Sequence, residues 1–208
     1  MNRLTSIVAR NEEGAIGARN SLPWRVKSDM QFFRRETLDK VVVLGRRTYE
    51  SLGGCLPRRT NIVVTHGFSL FPESAACRSA SGIDEALVLA SLATRKRGEA
   101  YVIGGATMYN QFAPFVDRYL ITVVNKRVRD ADTFFNDAIM GDRASWSCNV
   151  IEEGRADGAG NEADYTIFEY IALDRVAVVR RREAAIERIR VRARKPYQTA
   201  EGDFVAQA

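Results

Sequence analysis

The 208-residue sequence contains a single histidine, His66. That excludes any metal site built from several histidines. A serine–histidine–aspartate hydrolase needs only one, but no G-x-S-x-G elbow accompanies it. Cysteine is scarce: Cys55, Cys77 and Cys148 are odd in number, scattered, and never in a C-x-x-C pair. They read as free thiols in a reducing compartment, neither a disulfide frame nor a zinc site. No apolar run approaches the roughly 20 residues of a membrane-spanning helix. Met1-Asn2-Arg3-Leu4 opens no long apolar signal segment. A cytoplasmic protein without membrane contact is therefore expected. The G-x-G-x-x-G dinucleotide fingerprint is missing, as are long-period repeats and low-complexity linkers.

Apolar content is 46%, ordinary for one sizeable core. The net charge of +5 is uneven. Residues 172–208 carry nine basic and five acidic side chains, so +4 lies there and only +1 in the body. The high isoelectric point therefore gives no reason to call the whole chain a nucleic-acid binder.

Apolar runs at 4–9, 40–44, 61–65, 101–103, 119–124 and 165–171 read as strands. Helical stretches fall between them, at 29–37, 46–51, 83–93 (with Asp84 as a cap) and 106–112. This alternation predicts an α/β fold: a mixed, mostly parallel central sheet with helices on both faces. Runs 145–152 and 165–171 flank Gly154 to Gly160 and fit a closing antiparallel hairpin.

Leu22-Pro23-Trp24 is followed by Asp29-Met30-Gln31-Phe32-Phe33-Arg34. On a helix Asp29 and Phe33 share one face. A carboxylate beside an aromatic ring suits a flat heterocycle with N–H donors on its edge. Upstream, Gly14-Ala15-Ile16-Gly17 and Asn20-Ser21 mark a loop able to move over such a ligand. The plainer reading is that Asp29 only favours a helix N-terminus and Phe33 is core.

Two strand–turn–helix junctions stand out, Leu44-Gly45-Arg46-Arg47-Thr48 and Ile103-Gly104-Gly105-Ala106-Thr107. A glycine at a strand end followed by a helix start offers free N–H groups to phosphate. Arg46 and Arg47 add guanidinium forks, which argue for more than one phosphate or an extra 2′-phosphate. Each junction alone also fits an ordinary turn.

Taken in order over about residues 4–171, these segments resemble dihydrofolate reductase. The match includes Ile16-Gly17, Leu22-Pro23-Trp24, Asp29, Thr37-Leu38, the 41–44 strand and Gly45-Arg46-Arg47-Thr48-Tyr49-Glu50-Ser51. It continues through Leu56-Pro57-x-Arg59-x-Asn61, Val102-Ile103-Gly104-Gly105, Met108-Tyr109, Thr122 and Asp132-Thr133-Phe134-Phe135. The resemblance implies reduction of 7,8-dihydrofolate with NADPH, and antifolates as inhibitors. It implies a catalytic group of Asp29, Trp24, Leu22, Thr122 and Tyr109: Asp29 at the pterin edge, Thr122 beside it, Trp24 holding a water, Tyr109 by the nicotinamide. Ile7, Val8, Met30, Phe33, Leu52, Leu56 and Ile103 would be the substrate walls, and Arg59 the partner of the glutamate-tail carboxylate. Ala9, Ile16, Gly17, Gly45, Arg46, Arg47, Thr48, Thr65, His66, Gly104, Gly105, Ala106, Thr107, Met108 and Tyr109 would line the cofactor. A cis Gly104–Gly105 peptide and no metal are also implied.

Gly53-Gly54-Cys55-Leu56-Pro57 departs from the family's usual Gly-x-Pro-Leu-Pro, Leu22 stands for a frequent methionine, and Arg47 for a frequent histidine. The rival enzyme is the riboflavin-pathway pyrimidine reductase of the same fold, which has no need of Trp24 and Asp29 in this arrangement. A rival of another class is an assembly protein that retains the fold.

The division expected is a catalytic domain at 1–171 and a basic extension at 172–208. Val176, Val179, Ile186 and Ile189 outline a helix over roughly 174–190, while 188–194 alternates as a strand would. Docking on the body, self-association, or contact with an acidic partner are the open roles. Nucleic acid is disfavoured, because no aromatic residues interleave the arginines.

Overall fold

The computed structural model describes residues 1–66, 74–94 and 98–194, the last three without side chains. Ten strands form: β1 (Arg3–Asn11), β2 (Ala15–Gly17), β3 (Val41–Gly45), β4 (Thr60–Val64), β5 (Cys77–Ala80), β6 (Glu99–Val102), β7 (Arg118–Val124), β8 (Thr133–Phe134), β9 (Trp146–Gly154) and β10 (Tyr165–Ala172). The helices are α1 (Lys27–Thr37), α2 (Arg46–Ser51), α3 (Ile83–Ala93), α4 (Ala106–Phe112) and α5 (Arg175–Arg194).

Eight strands make one sheet in the order β5-β4-β3-β6-β1-β7-β10-β9. The first six are mutually parallel, and β10 and β9 add antiparallel. This is the mixed α/β sheet expected. Its parallel strands are apolar on both faces because helices cover both. On one face Leu4, Val8, Val43, Val102 and Ile121 pack under Leu87 of α3, Phe112 of α4 and Ile186 of α5. On the other, Ile7, Val42, Leu44, Tyr101 and Leu120 pack under Phe32 of α1, with Trp24 and Val26 beside it. The hairpin of β9 and β10 closes the sheet as anticipated. Strand β5 and the β2–β8 pair escaped the reading of the sequence: they are four residues long or fewer and carry no period.

Three expectations are corrected. Cys55 and Cys77 form a disulfide across 22 positions, so only Cys148 is a free thiol. Residue spacing alone hid the pair, because β5 was not recognised as the edge strand that brings Cys77 alongside. Asp84 does not cap α3: Gly82 holds the cap position without a side-chain bond, and Asp84 lies in the first turn, 3.4 Å from Arg188. Residues 188–194 are helical, not a strand.

The extension docks on its own body. Val178, Arg182, Ala185 and Ile186 face inward, whereas Val176 is 62% exposed, so the apolar stripe is shifted from the one anticipated. The buried Arg182 guanidinium lies 3.3 Å from the buried Asp117 carboxylate, and Arg175 lies 3.5 Å from the same oxygen. Asp117 also accepts the Leu4 N–H at 2.9 Å, tying α5 to β1. Arg182 donates to the Phe115 carbonyl at 3.2 Å.

Removing one partner of such a pair strands the other charge away from water. Asp117→Ala is expected to cost about 3–5 kcal/mol in urea unfolding. A loss below about 1 kcal/mol, the range of surface pairs, would show that this pair does not hold α5.

Candidate active site

The first turn of α1 carries Asp29, 7% exposed. The i, i+4 spacing places half-buried Phe33 on the same side, against the second core cluster. Register along the sheet sets Thr122 of β7 opposite Ala9 of β1. The Thr122 hydroxyl donates to the Asp29 carboxylate. Burial pushes the Asp29 carboxyl up to about 6; the Thr122 bond opposes this, and the charge of Glu152 on β9 adds to it.

Buried apolar groups surround this carboxyl. Ile7 of β1 and Trp24 of the loop before α1 belong to the cluster that packs Phe32 of α1, whereas Val8, expected at the site, packs on the opposite sheet face. The Trp24 indole Nε1 is buried without a protein partner among the described residues. Tyr109 of α4 donates its phenol to the Ile7 carbonyl at 2.9 Å, and burial, then the Asp29 charge, raises its pKa. Leu22, Trp24, Val26, Asp29 and Met30 line one cleft. Leu22 and Met30 are half exposed on its rim, and Leu52 is similarly open.

Below this, Arg59 donates to the Pro57 carbonyl at 2.8 Å and the Thr37 hydroxyl at 3.1 Å. It has no carboxylate partner among the described residues. Asn61, fully buried, holds the strand of chain beneath it by donating to the Leu56, Arg59 and Ala76 carbonyls.

The two glycine junctions lie side by side. Gly45 N–H donates to the Gly104 carbonyl at 2.8 Å, and Ile103 N–H to the Val43 carbonyl at 2.9 Å. The Gly104–Gly105 peptide is cis. A Cβ on Gly45 would lie 3.2 Å from Met108 Cγ, and one on Gly105 would lie 3.4 Å from Thr48 Oγ1. Gly104 has φ +118°, in the region that favours glycine. The glycines thus let the two strand ends, α2 and α4 pack closely together. Ala106 is half buried and Thr107 exposed at the start of α4. Arg46 is 3.8 Å from Glu50, and Arg47 has no ion-pair partner among the described residues. Thr65 and exposed His66 follow β4, the neighbour of β3.

The loop after β1 is latched to residues 130–135. The Asp132 carboxylate accepts the Arg19 N–H at 2.8 Å, and its own N–H donates to the Gly17 carbonyl. Half-buried Ile16 lies in β2, paired with β8. Asp132, Glu152, Tyr165 and Asn161 were given no role from sequence. They lie 103 to 136 positions from Asp29, and no local pattern reports such contacts.

Adjacent glycine junctions at neighbouring parallel strand ends, with a buried carboxylate in the first turn of α1, fit an α/β enzyme that binds a nucleotide cofactor. Comparison with known proteins agrees. The family model "Dihydrofolate reductase" matches residues 3–172. The dihydrofolate reductase of Neisseria meningitidis serogroup A is 36% identical over 172 residues, 82% of this chain and 99% of that protein. That of Bacillus subtilis is 31% identical over 169 residues, 80% and 93% of the two chains. A solved dihydrofolate reductase from Enterococcus faecalis, complexed with NADP(H) and RAB-propyl, superposes with a TM-score of 0.70 at 27% identity. It covers 83% of this chain and 98% of that one. The chain belongs to the dihydrofolate reductase family.

The raised pKa of Asp29 has a stability consequence of definite sign. The folded state keeps a proton that the unfolded chain loses near its ordinary value of 3.8. Stability is therefore withdrawn as pH rises from about 4 to 6, and the penalty is complete above that. Asp29→Asn is expected to be more stable than the parent at pH near 7 by up to roughly 3 kcal/mol, the gain shrinking towards pH near 4. Urea unfolding at both pH values checks this; equal stability at the higher pH contradicts it.

Proposed function

We propose that this chain reduces 7,8-dihydrofolate to 5,6,7,8-tetrahydrofolate by hydride transfer from NADPH. The observation that carries the reading is the buried Asp29 carboxyl in the first turn of α1, bonded to Thr122 of the sheet whose strands also end in the paired glycine junctions. Residues 1–171 are taken as the catalytic unit and 172–208 as an extension.

The residues at the junctions fit a dinucleotide. Gly45, Gly104 and Gly105 hold the two junctions close together, where a Cβ would press on Met108, Tyr109 or Thr48, and the start of α2 and α4 presents N–H groups to phosphate. Thr48, Ala106 and Thr107 complete this cradle. Arg46, Arg47, Thr65 and His66 serve the adenosine and 2′-phosphate half. Ala9, Ile16, Gly17, Met108 and Tyr109 border the nicotinamide half. When bound, NADPH supplies the hydride, so no protein nucleophile is needed.

The pterin edge is read by Asp29. A carboxyl with pKa near 6 populates both protonation states at working pH, so it can accept from the amidine-like edge and polarise the ring. Thr122 orients it. Trp24 Nε1, buried and without a partner among the described residues, is placed to hold a water that relays a proton. Ile7, Phe33 and Ile103, on the α1 side of the sheet, make the dry walls; Leu22, Met30 and Leu52 close the rim; Leu56 supports the tail. Arg59, pre-aimed by Thr37 and Pro57, takes the tail α-carboxylate as a bidentate fork. Diaminopyrimidine antifolates present a matching cationic edge to Asp29.

Among the described residues no helix is long and apolar enough to cross a membrane. A cytoplasmic location is proposed from the reaction.

NADPH oxidation with 7,8-dihydrofolate, followed by absorbance and blocked by a diaminopyrimidine, tests the reading. No turnover in the folded parent overturns it. Asp29→Asn should cut turnover at neutral pH by about two powers of ten or more. Replacing Arg46 and Arg47 by alanine should reduce the preference of kcat/KM for NADPH over NADH by about tenfold or more. An unchanged ratio removes them from cofactor selection.

A further inference from the structure

We propose that Asn161, on the loop between β9 and β10, is a positioning residue: it caps the N-terminus of α1 and so holds Asp29 against Thr122. This rests on the function proposed above.

Helix α1 begins without a cap of its own. Its cap position is Val26, whose side chain can accept nothing. A helix start leaves N–H groups that need an acceptor, most often Ser, Thr, Asp or Asn one residue before. Here the acceptor arrives from a segment 133 positions away. Ser28 N–H donates to Asn161 Oδ1 at 2.9 Å, and Asn161 Nδ2 donates to Ser28 Oγ at 3.0 Å. Ser28 immediately precedes Asp29. Asn161 is 7% exposed, so water is a poor substitute for either bond.

Asn161 is itself fixed. Its Nδ2 donates to Asp157 Oδ2 at 3.0 Å and its backbone N–H to Asp157 Oδ1 at 2.9 Å. Asp157 Oδ1 also gathers the N–H groups of Ala159 and Gly160, both at 2.9 Å, so the loop is wound tightly around one carboxylate. The loop then grips the chain just before Asp29. Lys27 N–H donates to the Gly160 carbonyl, and Val26 bridges to Asn161. A Cβ on Gly160 would come within 3.0 Å of the Lys27 side chain, so the two segments lie in close contact here. Glu162 and Arg25 exchange two further bonds.

The same hairpin supplies the groups behind Asp29. Tyr165 of β10 donates to Glu152 of β9 at 2.9 Å, and Glu152 pairs with Arg35 of α1. With Thr122 of β7 and Tyr109 of α4, these are the polar groups around the Asp29 carboxyl. Asn161 carries no charge, so its influence on Asp29 runs through helix placement. Without the cap the first turn loosens, the carboxyl gains water, and its protonation midpoint falls.

The test compares the parent with Asn161→Ala and with the double variant of Asn161→Asp and Asp157→Asn, using 7,8-dihydrofolate and NADPH across pH. Asn161→Ala should lower kcat/KM about tenfold. Its kcat midpoint should fall by about half a pH unit or more. Asn161→Asp, made together with Asp157→Asn so that a donor still faces the carboxylate across the 157–161 contact, keeps the acceptor, so kcat should stay within about threefold of the parent. A merely structural role would reduce the active fraction and leave the midpoint in place. An unmoved or raised midpoint in Asn161→Ala, or equal impairment in the double variant, overturns the proposal. If the alanine variant does not fold, Asn161→Ser is read the same way. A parent that does not turn over defeats the functional reading instead. Hydrogen exchange at the Ser28 amide then decides the cap alone, faster exchange in Asn161→Ala supporting it and unchanged exchange opposing it.

Discussion

A carboxyl group removed from water resists ionisation unless donors compensate, and the Thr122 hydroxyl compensates Asp29 only in part. Most of the ligand-facing end of this chain depends on keeping that imbalance. Helix α1 must start just before residue 29, β7 must place Thr122 beside it, and Trp24 must cover it. The apolar face that packs Phe32 into the sheet makes these demands compatible. Stability is given up above pH 6 for a side chain that can exchange a proton near neutrality, a conflict expected of a reactive centre.

Much of this was legible in the sequence because the relevant patterns are local. The 41–44 and 101–103 runs end in glycine, and a strand followed by glycine and a helix start predicts a phosphate-facing turn. That the two turns touch, Gly45 to Gly104, follows from strand order, which no local pattern encodes. Asp29 and Phe33 announced a shared face. Asn161, Glu152 and Tyr165 did not, since they reach α1 from the far hairpin. The Cys55–Cys77 pair was missed for a related reason: its partner strand is four residues long and sits at the sheet edge.

The extension illustrates how charge can mislead. Among the nine basic residues of the extension, Arg182 is one of the most buried side chains described. Asp117 explains this, since one buried carboxylate at the start of β7 draws in both Arg175 and Arg182 while holding Leu4. The helix thus closes the sheet face opposite α1, leaving the Asp29 side free of it.

The account turns on the protonation of one carboxyl in the folded protein. Carbon-13 NMR titration of the Asp29 side-chain carboxyl, in the protein without ligands, reads it directly. A single midpoint near 6 is predicted. A midpoint near 4, the ordinary value of an exposed aspartate, would contradict the claim that burial governs this site.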